Sequence, residues 1–235
     1  MPEPVLSVII PAKDEVELIG AAMASVAGQQ DLPSTTEVIV VSNGSGDATA
    51  ETARDVGARL ERTNLAVIVI EEAAPGIARA KNLGAARAHG DLLVFMDADS
   101  RMSPGLARAV AARARAGERA ASIRIVADGT DAIDHAFFWV IENGKRLFGM
   151  RANMSWMRRD LFEQLGGFDE TLNHAEDLDL LVRAKRAGVR VGHLRAEYIA
   201  TSPRRLHARP ARLGMFVMFG RWAMGSFGFR RRRPY

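Results

Sequence analysis

Two aspartates separated by one residue, Asp97 and Asp99, are the strongest candidates for chemistry in this sequence. They follow an apolar run of strand length at residues 92–96. Side chains alternate along a strand, so both carboxylates are expected to point the same way. Such a pair at the carboxyl end of a buried strand suits a hard cation bound by oxygen. The alternative is a helix start, but Ser103 and Pro104 already supply its N-cap and first position and leave the two aspartates unexplained.

A second acidic cluster follows the turn GGFDE at residues 166–170. Glu176, Asp177 and Asp179 fall at the start of a helix predicted over residues 176–187, which Gly188 ends. Acids at a helix N-terminus complement the helix dipole, and this is the structural explanation. Because one helix start rarely needs three acids, the alternative is that a carboxylate here acts as a general base towards a hydroxyl group. Both interpretations stay open at this point.

Alternating strand and helix patterns surround these residues. Strands are predicted at residues 5–10, 37–41, 65–70 and 92–96, with helices at 14–30, 48–56 and 76–89 between them. This order indicates a parallel sheet covered by helices. The second half is less regular, with helices predicted at 106–116, 132–148, 159–165 and 176–187 and strands at 121–126, 153–157 and 189–194.

Three loops of the first half, at residues 11–15, 42–47 and 97–99, follow predicted strands. Parallel strands end at one edge of a sheet, so these loops are expected to converge on one ligand. A nucleotide fits, because its base, ribose and phosphates need contacts spread over such a distance. The sequence has no Walker loop and no GxGxxG, so Mg²⁺ or Mn²⁺ on the aspartate pair would meet the phosphate charge. His207 is placed to complete this metal site, although a lone histidine is more often structural.

The composition fits one large domain, or one domain with an appendage, in 235 residues. The absence of cysteine excludes disulfides and thiolate chemistry and fits a reducing compartment. The first residues lack a signal-peptide pattern, and no run reaches the roughly 18 apolar residues of a membrane span. Nine of the 32 basic residues lie from Arg204 onwards, where no acidic residue occurs, which leaves 23 basic against 28 acidic residues before it.

The sequence therefore predicts a domain over residues 1–203 and an arginine-rich, apolar segment over residues 204–235. Residues 213–229 (LGMFVMFGRWAMGSFGF) are apolar and aromatic, and four arginines follow them. One interpretation is a helix packed on the domain, since apolar helical stripes usually face a core. The other is attachment to an anionic membrane surface, for which an apolar stripe beside a basic cluster supplies two signals.

Five motifs, taken in order, resemble family 2 glycosyltransferases, which have the GT-A fold. They are SVIIPAKDE at residues 7–15, VVSNGSGDAT at 40–49, PGIARAKNLGAARAHGDLLVFMDAD at 75–99, GGFDE at 166–170 and AEDLDLLVRAKRAG at 175–188. The resemblance covers about residues 6–191 and implies a Rossmann-like α/β fold with a mixed, mainly parallel sheet flanked by helices. It also implies inverting transfer of a sugar from a nucleotide-diphosphate donor to a hydroxyl acceptor.

The resemblance also implies roles for individual residues. Asp97 and Asp99 would be the DxD motif, with Asp99 the more direct ligand of Mn²⁺ or Mg²⁺. Asp177 would be the catalytic base, with Glu176 beside it. The residues expected to bind the nucleotide sugar are Pro11, Ala12, Lys13, Asp14, Glu15, Asn43, Lys81, Asp97 and Ala98.

The sequence departs from the family pattern at three places. Ser42-Asn43 replaces two common aspartates, although the Asn43 amide oxygen can still accept a hydrogen bond from a base. Lys81-Asn82 replaces Arg-Asn and keeps the cation. The QxxRW motif of processive enzymes is echoed only by MFGRW at residues 218–222, and the missing glutamine favours a single transfer over polymerisation.

Two other functions fit parts of the sequence. A sugar-phosphate nucleotidyltransferase has a related sheet, but that class usually begins with a glycine-rich basic loop, which PAKDE is not. A non-catalytic nucleotide- or membrane-binding module would rest on the C-terminal segment, and the joint presence of Asp97, Asp99 and Asp177 weighs against it. The preferred prediction is a metal-dependent glycosyltransferase in the cytoplasm or at the inner face of the membrane. Its acceptor is unidentified, a lipid-linked one is an option, and no nucleic acid partner is expected.

Overall fold

A computed structural model describes residues 5–32, 35–147, 154–172 and 175–207 of the chain. These residues form a sheet with strand order β3-β2-β1-β4-β7-β6-β8-β5. The strands are β1 Leu6–Ala12, β2 Thr36–Asn43, β3 Leu65–Glu72, β4 Leu92–Phe95, β5 Ser100–Met102, β6 Ala120–Ala127, β7 Ser155–Arg158 and β8 Val191–Thr201. The helices are α1 Ile19–Ala27, α2 Thr49–Leu60, α3 Ile77–Arg87, α4 Leu106–Arg115, α5 Ala132–Leu147, α6 Arg159–Gln164, α7 Glu176–Arg186 and α8 Arg204–His207.

The sheet is mixed and mainly parallel, as predicted. β1 pairs in parallel with both β2 and β4, and β2 pairs in parallel with β3. β7 is antiparallel to β4 and to β6, so β6 and its parallel neighbour β8 run in the direction of β1. The carboxyl ends of the strands that run in the direction of β1, namely β1, β2, β3, β4, β6 and β8, consequently lie along the same edge of the sheet.

Helices cover both faces of the sheet, and the strand sequences follow from this. Val8 and Ile10 pack into a core with α1, α2, α4 and α5, whereas Ile9 packs into a second core with α3, α6 and α7. Both faces of β1 are thus buried, which explains the consecutive apolar residues at positions 8–10. Two packed layers of helix are the usual way to bury such a sheet.

The elements that differ most from the sequence prediction are α1, β5, β8 and the unpredicted helix α8. α1 begins at Ile19 rather than near Asp14, because Asp14 has a left-handed φ of 54° and lies in a loop. β5 was not predicted, and its three residues carry no detectable alternation. β8 continues to Thr201, beyond a register shift in its pairing with β6 between Ile123 and Arg124. The last two features depend on pairing between distant parts of the chain, which periodicity does not report.

The first residues of the predicted C-terminal segment pack against the domain. α8 spans Arg204–His207, and Leu206 is fully buried in the core beneath α5. Residues 208–235, which include the 213–229 stretch and the MFGRW sequence, lie outside the described residues, so the two interpretations of that segment stay predictions. None of the described helices combines the length and apolarity that crossing a membrane requires.

Candidate active site

The loops after β1 and β2 meet at the carboxyl edge of the sheet. The Asp14 carboxylate accepts a hydrogen bond from the Gly46 amide at 2.8 Å, and the Asp14 amide donates to the Ser45 hydroxyl at 3.3 Å. The Glu15 amide donates to the Thr49 hydroxyl at 2.8 Å. These bonds fix the loop at residues 11–15 against the loop at residues 42–47, as the parallel-sheet prediction requires.

The residues predicted to bind the donor differ in exposure along this edge. Pro11, Ala12 and Glu15 are buried, whereas Lys13 and Asp14 are exposed. Asn43 ends β2 and is 5% exposed. Of these residues, Lys13 and Asp14 are therefore the ones whose side chains solvent reaches most easily.

The predicted metal motif follows β4 at the same edge. Asp99 is 6% exposed and Ala98 is buried, while Asp97 is partly exposed. The Ser100 amide donates to the Asp97 carbonyl at 3.1 Å, and the Ser202 amide donates to the Asp99 carbonyl at 2.9 Å. The motif is thus held between the turn into β5 and the end of β8.

Arg204 connects this motif to the loop after β1, and sequence reasoning did not identify it. Its guanidinium forms an ion pair with Glu15 and lies 3.8 Å from the Asp99 carboxylate. The Arg204 side chain is 42% exposed and belongs to the short helix α8. The positive charge of Arg204 pairs with the two acids that it faces. The only sequence signal for it is the arginine cluster after β8, which the sequence assigns to the C-terminal segment.

His207 does not lie with Asp97 and Asp99 as a third ligand would. Its imidazole Nε2 is 3.0 Å from the Asp134 carboxylate on α5. Within the described ranges, no three histidine, aspartate or glutamate side chains gather closely enough to hold a metal ion. His207 was proposed from its position in the sequence alone, and the turn of α8 directs it to α5 while Arg204 faces the acids.

The Asp97/Asp99 pair still fits a divalent cation. Carboxylate oxygens suit Mg²⁺ and Mn²⁺, and Mg²⁺ usually takes only one or two protein carboxylates and completes its shell with water and substrate phosphates. Two carboxylates without a third protein ligand are therefore sufficient for a cation that is bound together with a diphosphate.

The second acidic cluster is built around a buried lysine. Lys81 on α3 is 2% exposed, and its Nζ lies 2.8 Å from Glu176 Oε1 and 2.9 and 2.8 Å from the two Asp177 carboxylate oxygens. Gly84 allows α3 to pack closely on β1, because a Cβ at this position would lie 2.5 Å from Ile9 Cγ2. The sequence prediction placed Lys81 on the donor, but the structure places its ammonium on the two carboxylates.

The charges of these three groups shift one another's pKa values. Burial, together with the charges of Glu176 and Asp97, raises the pKa of Asp177 to about 7, against the lowering effect of Lys81. Burial also opposes ionisation of Glu176, but the charge of Lys81 and its hydrogen bond outweigh this and lower the pKa of Glu176. Despite its own burial, Lys81 has a raised pKa because of Asp177, Glu176 and Asp97. Asp177 is thus suited to gain and lose a proton near neutral pH.

The third acid of the cluster has a structural partner. Asp179 accepts a hydrogen bond from Arg183 Nε at 2.6 Å, one helical turn further along α7. The same guanidinium donates to the carbonyls of Leu165 and Gly167, each at 2.6 Å. Arg183 therefore fastens the 166–170 turn to α7, which explains Asp179 without a catalytic role.

Asn82 holds the same turn from α3. Its amide nitrogen donates to the Phe168 carbonyl at 3.0 Å, and its amide oxygen accepts from the Phe168 amide at 2.8 Å. Gly166 and Gly167 have φ values of 75° and 72°, which explains why the turn contains two glycines. The Lys81-Asn82 pair thus joins α3 both to the acids of α7 and to the turn that precedes them.

Comparison with known proteins identifies the family. The family model described as "Glycosyl transferase family 2" matches residues 7–166. The chain belongs to glycosyl transferase family 2. The match covers the loops after β1 and β2 and the Asp97/Asp99 motif, and it ends before Glu176 and Asp177.

Relatives and solved structures agree with this assignment. The chain is 38% identical over 96 residues to "Glycosyltransferase AglE" of Haloferax volcanii, covering 41% of this chain and 31% of that protein. It is 29% identical over 206 residues to "Succinoglycan biosynthesis protein ExoU" of Rhizobium meliloti, covering 78% and 57%. The chain thus spans less than two thirds of the length of these relatives.

Two structures show the same fold. TarS 1–349 of S. aureus matches with a TM-score of 0.66 at 24% identity, covering 86% of this chain and 61% of that one. The mannosyltransferase PcManGT of Pyrobaculum calidifontis, in complex with GDP-Man and Mn²⁺, matches with a TM-score of 0.68 at 23% identity, covering 93% and 65%. The fold is therefore GT-A, as the sequence resemblance implied.

Proposed function

We propose that this protein is an inverting, metal-dependent glycosyltransferase that moves one sugar per reaction from a nucleotide-diphosphate donor to a hydroxyl acceptor. The observation that carries the proposal is the buried Lys81–Glu176–Asp177 cluster in the same domain as the Asp97/Asp99 motif, which follows β4 at the carboxyl edge of the sheet. The Asp97 charge contributes to raising the pKa of Asp177, so the predicted base and the predicted metal motif are within electrostatic reach. One reaction centre needs both a base and a site that binds the diphosphate, and these two sets of residues can supply them.

The proton and charge movements follow from these groups. Asp177, which keeps 16% of its side chain exposed, accepts the proton of the acceptor hydroxyl. The acceptor oxygen forms a bond with the anomeric carbon from the face opposite the diphosphate, and the nucleoside diphosphate leaves with the bonding electron pair. A divalent cation on Asp97 and Asp99, when bound, neutralises charge that develops on the diphosphate. Arg204 lies beside Asp99 and supplies a second positive charge at the same place.

The donor and cofactor proposals have support in the solved structures. TarS 1–349 has been crystallised with UDP and with UDP-GlcNAc, and PcManGT is in complex with GDP-Man and Mn²⁺. We propose Mn²⁺ or Mg²⁺ for this chain on the chemistry of its two carboxylates. The single-transfer proposal rests on the sequence, in which MFGRW lacks the glutamine of the processive motif. The sugar-phosphate nucleotidyltransferase alternative is disfavoured by the family match.

We further propose that the enzyme acts in the cytoplasm, in glycan biosynthesis, with residues 208–235 attached to an anionic membrane surface. The support is the charge distribution, since the segment combines aromatic residues with a terminal arginine cluster. Such attachment would place the active site near a lipid-linked acceptor.

The function is tested by incubating the protein with Mn²⁺ or Mg²⁺ and UDP-GlcNAc, UDP-glucose or GDP-mannose, each without acceptor and with simple sugar acceptors. Release of UDP or GDP that depends on the divalent cation is expected for at least one donor. Calorimetric titration with UDP and GDP measures donor-site binding independently of turnover. Absence of both binding and release for every donor in the panel would contradict the proposal.

A further inference from the structure

Glu176 and Asp177 use the full hydrogen-bonding capacity of the Lys81 ammonium. A lysine ammonium has three N–H donors and no acceptor. Three carboxylate oxygens, one from Glu176 and two from Asp177, lie within 2.9 Å of Nζ. The side chain is 2% exposed, so solvent and a donor phosphate have almost no access to it. A contact with the donor would require Lys81 to give up bonds to charged partners, which are the strongest that it makes.

The surroundings hold the ammonium in this position. The Phe168 ring lies with its centroid 5.1 Å from Nζ, which adds a cation–π contact on another side. Phe168 is itself fastened to Asn82, the neighbour of Lys81 on α3. The base Asp177 at the start of α7 is thus positioned from α3 rather than by its own helix alone.

The charge balance of the cluster gives this arrangement a chemical consequence. Two ionised acids and one ammonium carry a net charge of −1, so one further proton makes the cluster neutral. Lys81 contacts both acids, but Glu176 is the one whose pKa is lowered, while burial and the charges of Glu176 and Asp97 raise the pKa of Asp177. The proton that enters the cluster therefore goes to Asp177, the acid that is more exposed, at 16% against 8% for Glu176.

We propose that Lys81 is a positioning residue for the reaction: it orients the Asp177 carboxylate and keeps Glu176 ionised, so that Asp177 alone exchanges the acceptor proton. This inference rests on the proposed function, and it assigns to Lys81 a role on the base side of the site instead of the donor side. Lysine is suited to it because its compact ammonium reaches both acids from one helix.

The test uses Lys81→Met, Lys81→Arg and the double variant Lys81→Met/Glu176→Gln, with Lys185→Met as the matched control on the exposed surface of α7. The Kd of UDP and GDP in Mn²⁺ is measured by calorimetry, and kcat and KM are measured for donor hydrolysis. We expect Lys81→Met to lower kcat by about 10²-fold or more, the scale of general-base catalysis, with Kd and donor KM changed by less than about threefold. Lys185→Met should leave all of these unchanged.

The pH profile separates positioning from a merely structural role. Removing Lys81 removes a positive charge beside Asp177, so the acidic limb of kcat/KM should move to higher pH, and Glu176→Gln in the same protein should move it back. Lys81→Arg keeps the charge and should recover part of kcat.

Two results would overturn the inference. One is a raised Kd and KM with unchanged kcat in Lys81→Met, which would return Lys81 to the donor site. The other is loss of kcat without any shift of the pH limb in a variant that folds. If Lys81→Met does not fold, the double variant and Lys81→Arg are measured in the same way. If the wild-type protein neither binds nor hydrolyses any donor, the proposed function fails, which is a separate outcome.

Discussion

Replacement of Asp177 by asparagine gives the most direct test of the proposed general base. The amide cannot accept the acceptor proton, and removal of a general base typically lowers the rate about 10²–10⁴-fold. Asp177 contacts Lys81 rather than the loops after β1 and β2, so affinity for nucleoside diphosphate should be nearly unchanged.

The dependence of wild-type kcat/KM on pH tests the same assignment of Asp177 as the base. Because the pKa of Asp177 is raised to about 7, the base is half ionised near neutral pH. A base must be unprotonated, so kcat/KM should rise with pH through this range and level off above it, falling roughly tenfold for each pH unit well below the pKa. Glu176→Gln removes a negative charge that raises this pKa, so its acidic limb should lie at lower pH.

The assay uses whichever donor sugar nucleotide the protein hydrolyses. Hydrolysis is measured as release of UDP or GDP between about pH 5 and 9. Thermal unfolding at each pH checks that the variants remain folded. A wild-type profile that is flat across neutral pH, or Asp177→Asn with nearly full kcat, would refute the assignment of Asp177 as the base. Loss of nucleoside diphosphate binding in Asp177→Asn would place this residue in the donor site instead.

Four further changes test the surrounding structure. Asp99→Ala should abolish the Mn²⁺-dependent part of UDP or GDP affinity in calorimetry, and unchanged affinity would exclude Asp99 as a ligand. Arg204→Ala should weaken nucleoside diphosphate binding by about tenfold, which is the scale of one charged hydrogen bond. Its affinity for the free nucleoside should not change, and the surface control Arg101→Ala should bind nucleoside diphosphate as the wild-type protein does. Gly84→Ala should destabilise the fold by about 1–3 kcal/mol in urea unfolding, since its Cβ overlaps a buried side chain; a neutral result would mean that α3 shifts freely. Deletion of residues 208–235 should abolish salt-sensitive sedimentation with anionic vesicles, and equal sedimentation of both proteins would leave that segment without a membrane role.

The first half of the fold was predictable because its information is local. β1–β4 and the helices between them show periodicity and turn residues in short windows, and the match to residues 7–166 covers this half. The start of α1 was misplaced because a left-handed Asp14 is an exception to the backbone preference of most residues. The short strand β5 has no periodic signal, since its stability comes from pairing with β8.

The sequence predicted the acids of the candidate site, and the structure adds the basic side chains that contact them. The spacing of Asp97 and Asp99 and the position of Asp177 were read from the motifs. Their basic partners were not, because Lys81 and Arg204 reach these acids through packing of α3 and α8, which no local pattern records. The sequence showed that a cation was kept at position 81, but only the packing shows which anions it neutralises.

The pairing of β5 with β8 has a consequence for biosynthesis. Ser100 pairs with Thr201 and Met102 with Ile199. The strand β5, which follows the Asp97/Asp99 motif, can therefore pair only after β8 has been synthesised. Domains emerge from the ribosome N-terminus first, and β1–β4 can associate before β8 exists. The Asp97–Asp99 turn would then remain incompletely anchored on the nascent chain, and this part of the candidate site would be completed only in one of the last steps of folding.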